Sequence, residues 1–222
     1  VRALVARGHH VAGLTRHSGR RSELEALGAQ PVVADARDEA ALRRAFLEAR
    51  PTDVVHLLTA LPREGALHAR DLAPTNTLRT VGTANLVRAA ADAACRRLVA
   101  ESFVGVYGAG SPGGVLEEEG PLPPLPAGPL RDSVAALRSL EEQLQTARRE
   151  GWIEAVALRI GVLHGGEVAS TIALRDRLRA RRMAVPLGPP GRMSFVDVDD
   201  AAGAVVAALE TPAPGPTYNV AD

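Results

Sequence analysis

The chain's fold is decided by residues 3–16, which read A-L-V-A-R-G-H-H-V-A-G-L-T-R. This stretch predicts the end of a helix, a glycine where the helix stops, and then a short buried strand. Gly8 stands where a helix C-terminus needs a residue that tolerates left-handed backbone dihedrals, and Gly28 stands at a second such position. A helix that leads into a buried strand is the second half of a βαβ unit.

Helical and strand patterns alternate along most of the chain. Short apolar runs predict strands covered on both faces at residues 10–14, 30–35, 53–59, 97–102 and 153–160. Between them, helical patterns occupy residues 22–27, 39–49, 75–94 and 132–149. After residue 160 the pattern loosens into a helix at 170–181, a strand at 193–198, a helix at 199–209 and a strand at 217–220. This alternation predicts an α/β fold with a doubly wound parallel sheet.

Composition narrows the function classes. The 26 basic and 26 acidic residues balance and are interspersed, which argues against a nucleic-acid partner. No segment is apolar enough to cross a bilayer, so we expect no membrane association. The single cysteine, Cys95, predicts a buried small side chain in a reducing, cytoplasmic protein. Residues 108–129 are dense in glycine and proline and predict one long irregular loop, a kind of loop that is often functional.

Several short motifs, in this order, resemble the short-chain dehydrogenase/reductase superfamily in its extended or atypical branch, the NAD-dependent epimerase/dehydratase family. They are G-H-H-V-A-G-L-T-R at 8–16, A-D-A-R-D at 34–38, D-V-V-H-L-L-T-A at 53–60, V-G-T-A-N-L-V-R-A-A at 81–90, V-Y-G at 106–108, A-L-R at 157–159, F-V-D-V-D-D at 195–200 and Y-N-V at 218–220. The resemblance implies a Rossmann-like NAD(P)-binding core at residues 1–160. Residues 161–222 then hold the remaining strands and helices and part of a substrate-covering lobe.

In such proteins a strand and a Gly-x-x-Gly-x-x-Gly turn precede the first helix of the βαβ unit. We therefore expect this chain to be truncated before Val1, and also after Asp222, because the family usually continues past Y-N-V. Since the expected strand order 3-2-1-4-5-6 places the first strand in the centre, we expect the isolated chain to be poorly stable and to bind dinucleotide weakly.

The resemblance also assigns cofactor positions. The family places an acidic residue after the second strand when NAD is used, whereas this chain has Arg16, His17 and Ser18. Guanidinium and hydroxyl groups suit a 2′-phosphate, so NADP is the expected cofactor and NAD the alternative. An exposed arginine without a ligand is the simpler interpretation.

Two further groups are expected to line the cofactor. Asp35 and Ala36 match the pair that flanks adenine, although Asp35 could equally end a strand or cap a helix. Leu57, Leu58 and Thr59 follow His56 where the next strand passes under the nicotinamide ribose. We interpret His56 itself as a structural histidine.

The catalytic positions depart from the family pattern. Its Tyr-x-x-x-Lys pair aligns with Val134 and Arg138, and the chain contains no lysine. Arg138 could still bond the nicotinamide ribose, but it does not titrate in a useful range. The usual serine or threonine is Phe103, and the usual helix asparagine is Arg79.

No replacement for the missing acid is evident. The weak candidates are Tyr107, His164 and Ser102, although packing is the simpler role for Tyr107, and for His164 in an expected H-G-G turn. Asp132 and Glu101 are interpreted as cap or surface carboxylates, and no spacing of ligands predicts a metal site.

Two function classes follow. One is an NAD(P)-dependent, epimerase/dehydratase-like oxidoreductase that acts on a small-molecule substrate, with a homodimer as its candidate assembly. The other is a non-catalytic NAD(P)-binding sensor or scaffold.

Overall fold

The computed structural model describes residues 1–66, 68–108, 115–182, 193–212 and 214–222. Its strands are β1 (Ala12–Thr15), β2 (Gln30–Val33), β3 (Asp53–His56), β4 (Arg97–Phe103), β5 (Glu154–Ile160), β6 (Val162–His164), β7 (Phe195–Asp197) and β8 (Thr217–Val220). Its helices are α1 (Arg2–Ala6), α2 (Arg21–Ala26), α3 (Glu39–Ala49), α4 (Ala73–Thr77), α5 (Thr83–Asp92), α6 (Arg131–Arg149), α7 (Ala169–Arg179) and α8 (Val198–Glu210). Part of the predicted loop, residues 109–114, lies outside the described residues.

All strand pairs in these ranges are parallel. β1 pairs with β2, β6 pairs with β7, and a four-stranded sheet has the order β3-β4-β5-β8. Within the described ranges β1 and β3 each pair on one side only, and the predicted order places one further strand between them. The predicted α/β class is confirmed, but the sheet is divided at this point.

Helices cover both faces of the four-stranded sheet. Alternate residues of β4 point to opposite faces, so Leu98 and Ala100 pack among residues of α5 and α6. Val99 packs on the other face with Val205 of α8. Among the described helices none is both long and apolar enough to cross a bilayer.

Two predicted strands end early, and each is followed by a hydrogen bond from a backbone amide to a nearby side chain. The strand predicted at 53–59 stops at His56, whose Nδ1 accepts a hydrogen bond from the Leu58 amide at 3.3 Å. The strand predicted at 30–35 stops at Val33, and the Asp35 carboxylate accepts from the Arg37 amide at 2.9 Å. Such local side-chain bonds turn the chain out of a sheet.

The helix predicted at 75–94 is interrupted. A π-helical turn at Leu78–Gly82 separates α4 from α5. The predicted glycine positions are confirmed, with φ of 83° at Gly8 and 81° at Gly28. Strand β6 was not predicted, and it places His164 in a strand whose following turn begins at Gly165.

Candidate functional site

The carboxyl ends of β1 and β2 bring two predicted cofactor residues together. Thr15 pairs with Val33, and the Ala34 amide donates to the Thr15 carbonyl at 3.0 Å. Arg16 and Asp35 therefore follow adjacent strand ends, on the edge where parallel sheets bind ligands. The charge of Arg16 contributes to a lowered pKa of Asp35.

Asp35 and Arg16 differ in how many hydrogen bonds their side chains form within the protein. Asp35 accepts from Arg37 Nε and NH2 at 3.0 and 2.6 Å, and hydrogen bonds from Arg37 hold the pKa of the carboxyl at about 2. Arg16 donates through Nε to the exposed ring of His17 at 2.9 Å, and Ser18 opens a short 3₁₀ turn. Arg16 is thus exposed to solvent, and its only side-chain hydrogen bond among the described residues is the one to His17.

Asn85 supports this edge and was not identified from the sequence. Its buried side-chain amide donates to the Ala36 carbonyl at 2.9 Å, which fixes the backbone beside Asp35. Asn85 lies in the V-G-T-A-N-L motif, which was used for the family resemblance. The motif alone did not indicate that the Asn85 amide contacts the Ala36 carbonyl.

His56 ends β3 as a structural residue, as predicted. Its ring is buried, and Nε2 lies 3.0 Å from the hydroxyl of Thr83. Since Nδ1 accepts from the Leu58 amide, the proton is on Nε2 and the ring is neutral. Burial, helped by the nearby charge of Arg79, lowers the pKa of His56 to about 4.

The residues after His56 present both surface and core. Leu57 is exposed at 45%, whereas Leu58 packs against the core. Thr59 is exposed, and its hydroxyl lies 3.5 Å from that of Thr75. Leu57 and Thr59 are therefore the side chains available to a ligand at this strand end.

Ser102 and Tyr107, two of the predicted catalytic candidates, lie in a buried polar network together with Glu141, Arg159 and Asn219. The Ser102 hydroxyl donates to Glu141 at 2.6 Å. Arg159 donates to Glu141 from Nε at 3.0 Å and from NH2 at 2.8 Å. Tyr107 accepts from Arg159 NH1 at 2.7 Å and donates to Asn219 at 2.8 Å.

This closed network occupies the α6 face of β4 and β5. Glu141 and Arg159 are each 3% exposed, and Ser102 is 1% exposed. Because each group is bonded to another protein group, the network supports the packing of α6 on the sheet.

Glu101 was interpreted as a cap or surface carboxylate, and this prediction is wrong. Glu101 lies inside β4 and is only partly exposed. Burial raises the pKa of its carboxyl, and the opposing charge of Arg79 only partly offsets that effect. Asp132 lies, as predicted, in the exposed first turn of α6.

Arg79, in the π-helical turn, and Glu101 influence each other electrostatically. Burial lowers the pKa of Arg79, and the charge of Glu101 opposes this. Of the residues that the structure describes, none forms a hydrogen bond or an ion pair within 4 Å with either side chain. We call Glu101 and Arg79 the open pair.

The two positions aligned with the Tyr-x-x-x-Lys pair lie on α6. Val134 is buried, and Arg138 donates to the carbonyls of Val106 at 3.2 Å and Pro123 at 2.5 Å. Arg138 also lines an open cavity of about 580 Å³ together with Glu118, Leu122 and Thr217. The Arg138 guanidinium thus links α6 to the backbone at Val106 and Pro123.

His164, the third candidate, stands apart from these groups. Its ring is 42% exposed and lies 3.4 Å from Asp222 and 3.9 Å from Asp197. No hydrogen bond joins it to the open pair or to the closed network within the described ranges.

Comparisons with known proteins agree with this fold. The sequence profile of the NAD dependent epimerase/dehydratase family matches residues 1–221. A 3-diazoavenalumate denitrifying reductase from a Streptomyces species is 40% identical over 223 residues, covering 97% of this chain and 69% of that protein.

Among solved structures, UDP-glucose 4-epimerase from Thermus thermophilus, in complex with NAD, superposes with a TM-score of 0.78 at 27% identity, covering 99% of this chain and 72% of that one. A dTDP-glucose 4,6-dehydratase from Streptomyces venezuelae has a TM-score of 0.75 at 20% identity, covering 99% of this chain and 70% of that one. The second likeness concerns the fold alone.

Proposed function

The chain belongs to the NAD-dependent epimerase/dehydratase family, and within it we propose a reductase that uses NADPH to remove nitrogen from a diazo compound. The observation that carries the proposal is the 40% identity, over 97% of the chain, to a 3-diazoavenalumate denitrifying reductase. The chemistry of the site supports it independently, in two respects.

The strand-end residues fit a nicotinamide dinucleotide. Arg16 and Ser18 offer a guanidinium and a hydroxyl to a 2′-phosphate, beside Asp35 and Ala36 for the adenine. Leu57 and Thr59 present exposed side chains where the nicotinamide ribose is expected. The dinucleotide, when bound, supplies a hydride to the substrate.

The missing proton relay favours reduction of a diazo group over oxidation of a hydroxyl. Epimerase and dehydratase chemistry that begins at a hydroxyl requires a base, and the family's tyrosine position holds the buried Val134. A diazonium cation needs only a hydride, because R–N₂⁺ and NADPH give R–H, N₂ and NADP⁺. A neutral diazo compound needs one further proton, so that R₂C=N₂, NADPH and H⁺ give R₂CH₂, N₂ and NADP⁺.

Isotope transfer tests this function. We expect the full-length protein, incubated with NADPH carrying deuterium at the reactive ring carbon and with a diazo compound, to form a deuterated product that has lost nitrogen. Mass spectrometry detects the label, and reactions without protein give the background. A protein that binds NADPH but yields no labelled product above this background contradicts the reductase assignment.

A non-catalytic sensor or scaffold is the second candidate. The two positions aligned with the Tyr-x-x-x-Lys pair favour it. Val134 is buried and cannot transfer a proton, and Arg138 is hydrogen-bonded to two backbone carbonyls. Cofactor binding without turnover of any diazo compound is the outcome that this candidate predicts.

A further inference from the structure

Glu101 and Arg79 are charged groups for which the described part of the chain supplies no hydrogen bond and no ion pair within 4 Å. Burial raises the pKa of Glu101 and lowers the pKa of Arg79, which in each case favours the neutral form. Partly buried charges without partners are costly, so a charged pair of this kind is a candidate for contact with a ligand.

The register of β4 sets the direction of Glu101. Ser102 points to α6, where its hydroxyl bonds Glu141. Because side chains alternate along a strand, Glu101 and Phe103 share the opposite face. Phe103 occupies the position at which the family resemblance places the serine or threonine of the active site. Glu101 lies two residues before it, on the same face of the strand.

The π-helical turn sets the position of Arg79. This turn interrupts the helix between α4 and α5, at Leu78–Gly82, and Thr83 directly after it holds the ring of His56. π-turns within α-helices occur often at functional sites. The charge of Arg79 acts both on His56, at the end of β3 where the nicotinamide ribose is expected, and on Glu101 of β4.

We infer that Glu101 is the proton donor for reduction of a neutral diazo compound, and that Arg79 supplies the positive charge that stabilises the carboxylate left after proton transfer. The inference rests on the proposed function. The Glu101 proton forms a C–H bond at the diazo carbon, giving R₂CH–N₂⁺ and the Glu101 carboxylate. The hydride then forms the second C–H bond, the C–N bond breaks, and its electron pair leaves with N₂. Water returns a proton to Glu101.

The surroundings of Glu101 suit this role. Burial raises the pKa of its carboxyl, which keeps the acid form available at higher pH than in solution, and Arg79 limits the rise. A proton donor works best when its pKa lies near the operating pH. Tyrosine with a neighbouring lysine gives the family this property, and glutamate with a neighbouring arginine supplies it here.

Two substrates separate the proton from the hydride. A neutral diazoketone requires the proton, whereas a preformed aryldiazonium salt requires only the hydride. In full-length Glu101→Gln we expect turnover of the diazoketone to fall about 100-fold or more, and turnover of the diazonium salt to stay within about twofold of wild type. Glu101→Asp should partly restore the diazoketone reaction. Glu48→Gln, an exposed residue of α3, is the matched control and should behave as wild type on both substrates.

Three further measurements extend the comparison of the variants. In wild type, diazoketone turnover should decline as pH rises through the pKa of Glu101, and this decline should be absent for the diazonium salt. Infrared spectroscopy of the substrate-free protein should show a protonated carboxyl band at mildly acidic pH that Glu101→Gln lacks and Glu48→Gln retains. NADPH affinity, measured by calorimetry, should be the same in all variants.

Each other outcome overturns the inference. Equal losses on both substrates mean that Glu101 holds a cation instead of donating a proton. Unchanged turnover of both substrates, or a carboxyl band unaffected by Glu101→Gln, means that the donor lies elsewhere. A wild-type protein that reduces neither substrate refutes the proposed function first, and the inference with it.

Discussion

The two faces of β4 carry polar residues of opposite character. On the face toward α6, Ser102 joins Glu141 and Arg159 in a network in which the buried groups bond one another. The side chain of Glu101 alternates to the other face, and among the described residues neither it nor Arg79, whose charge acts on it, has a hydrogen bond or an ion pair within 4 Å. The residues at positions 101 and 102 are neighbours in sequence, yet Ser102 is hydrogen-bonded within the protein and Glu101 has no such bond in the described part of the chain.

The difference separates structural polar groups from candidates for chemistry. A buried group whose bonds are all made inside the protein stabilises one arrangement, and its removal leaves a partner unsatisfied. A group left open costs stability, so its removal should leave folding intact while it changes binding or turnover. The following predictions test this distinction.

Removal of Glu141 should have the largest effect. Glu141→Ala leaves the Arg159 guanidinium as an unpaired buried charge, which typically costs about 3–5 kcal/mol of unfolding free energy. Urea denaturation measures the loss. The adjacent exposed residue provides the control, because Glu142→Ala should change stability by no more than about 0.5 kcal/mol. Similar effects of both substitutions would show that the network adds little to stability.

Acid should destabilise the protein through His56. Burial, with a contribution from Arg79, lowers the pKa of His56 from 6.5 to about 4 in the folded protein. Because the neutral ring is favoured in the folded state, this group contributes about 3 kcal/mol to the unfolding free energy above pH 6.5. The contribution is lost as pH falls from 6.5 through 4. Unfolding free energies measured across this range should show the decline.

In His56→Gln the amide can still donate to Thr83 but does not titrate, so the acid sensitivity should shrink. His17→Gln, which removes an exposed histidine, should leave the pH dependence as in wild type. Acid sensitivity that survives in His56→Gln argues against His56 as its source.

Arg16 extends the comparison to a second open group. Its side chain bonds only the neighbouring His17 among the described residues, and it faces solvent. In the full-length protein, Arg16→Asp should shift binding from NADPH toward NADH by about 1–2 kcal/mol, and the shift should diminish as salt rises. Competitive calorimetry with both cofactors measures it, with Arg44→Asp on the exposed surface of α3 as control. A wild-type preference for NADH contradicts the phosphate assignment.

Glu101→Gln should have the smallest effect on folding. The raised pKa of Glu101 means that its stabilising contribution is present at low pH and lost as pH rises through the folded-state pKa. At pH 7 the variant should therefore match wild type within about 0.5 kcal/mol or exceed it. A loss as large as that of Glu141→Ala would place Glu101 among the structural groups and remove the contrast between the two faces.

Local patterns predicted the regular elements well. The helix over 39–49 and the strand over 217–220 have the predicted bounds. Asp38 caps the helix by accepting from the Ala41 amide at 2.9 Å, a bond between near neighbours in sequence. Errors arose where a side chain bonded its own backbone, as at the ends of β2 and β3.

The sequence by itself determined the order of strands and helices and the positions of Arg16 and Asp35 at neighbouring strand ends. It also determined that the family's Tyr-x-x-x-Lys pair is replaced by Val134 and Arg138. These follow from periodicity and from residue identity. Only the tertiary structure decided which residue of the Glu101–Ser102 pair is saturated, because the Ser102–Glu141 bond joins residues 39 positions apart. The π-helical turn that positions Arg79 likewise has no local signal. A strand pattern states that alternate residues face opposite ways, but the helix packed on each face determines which polar group is left for a ligand.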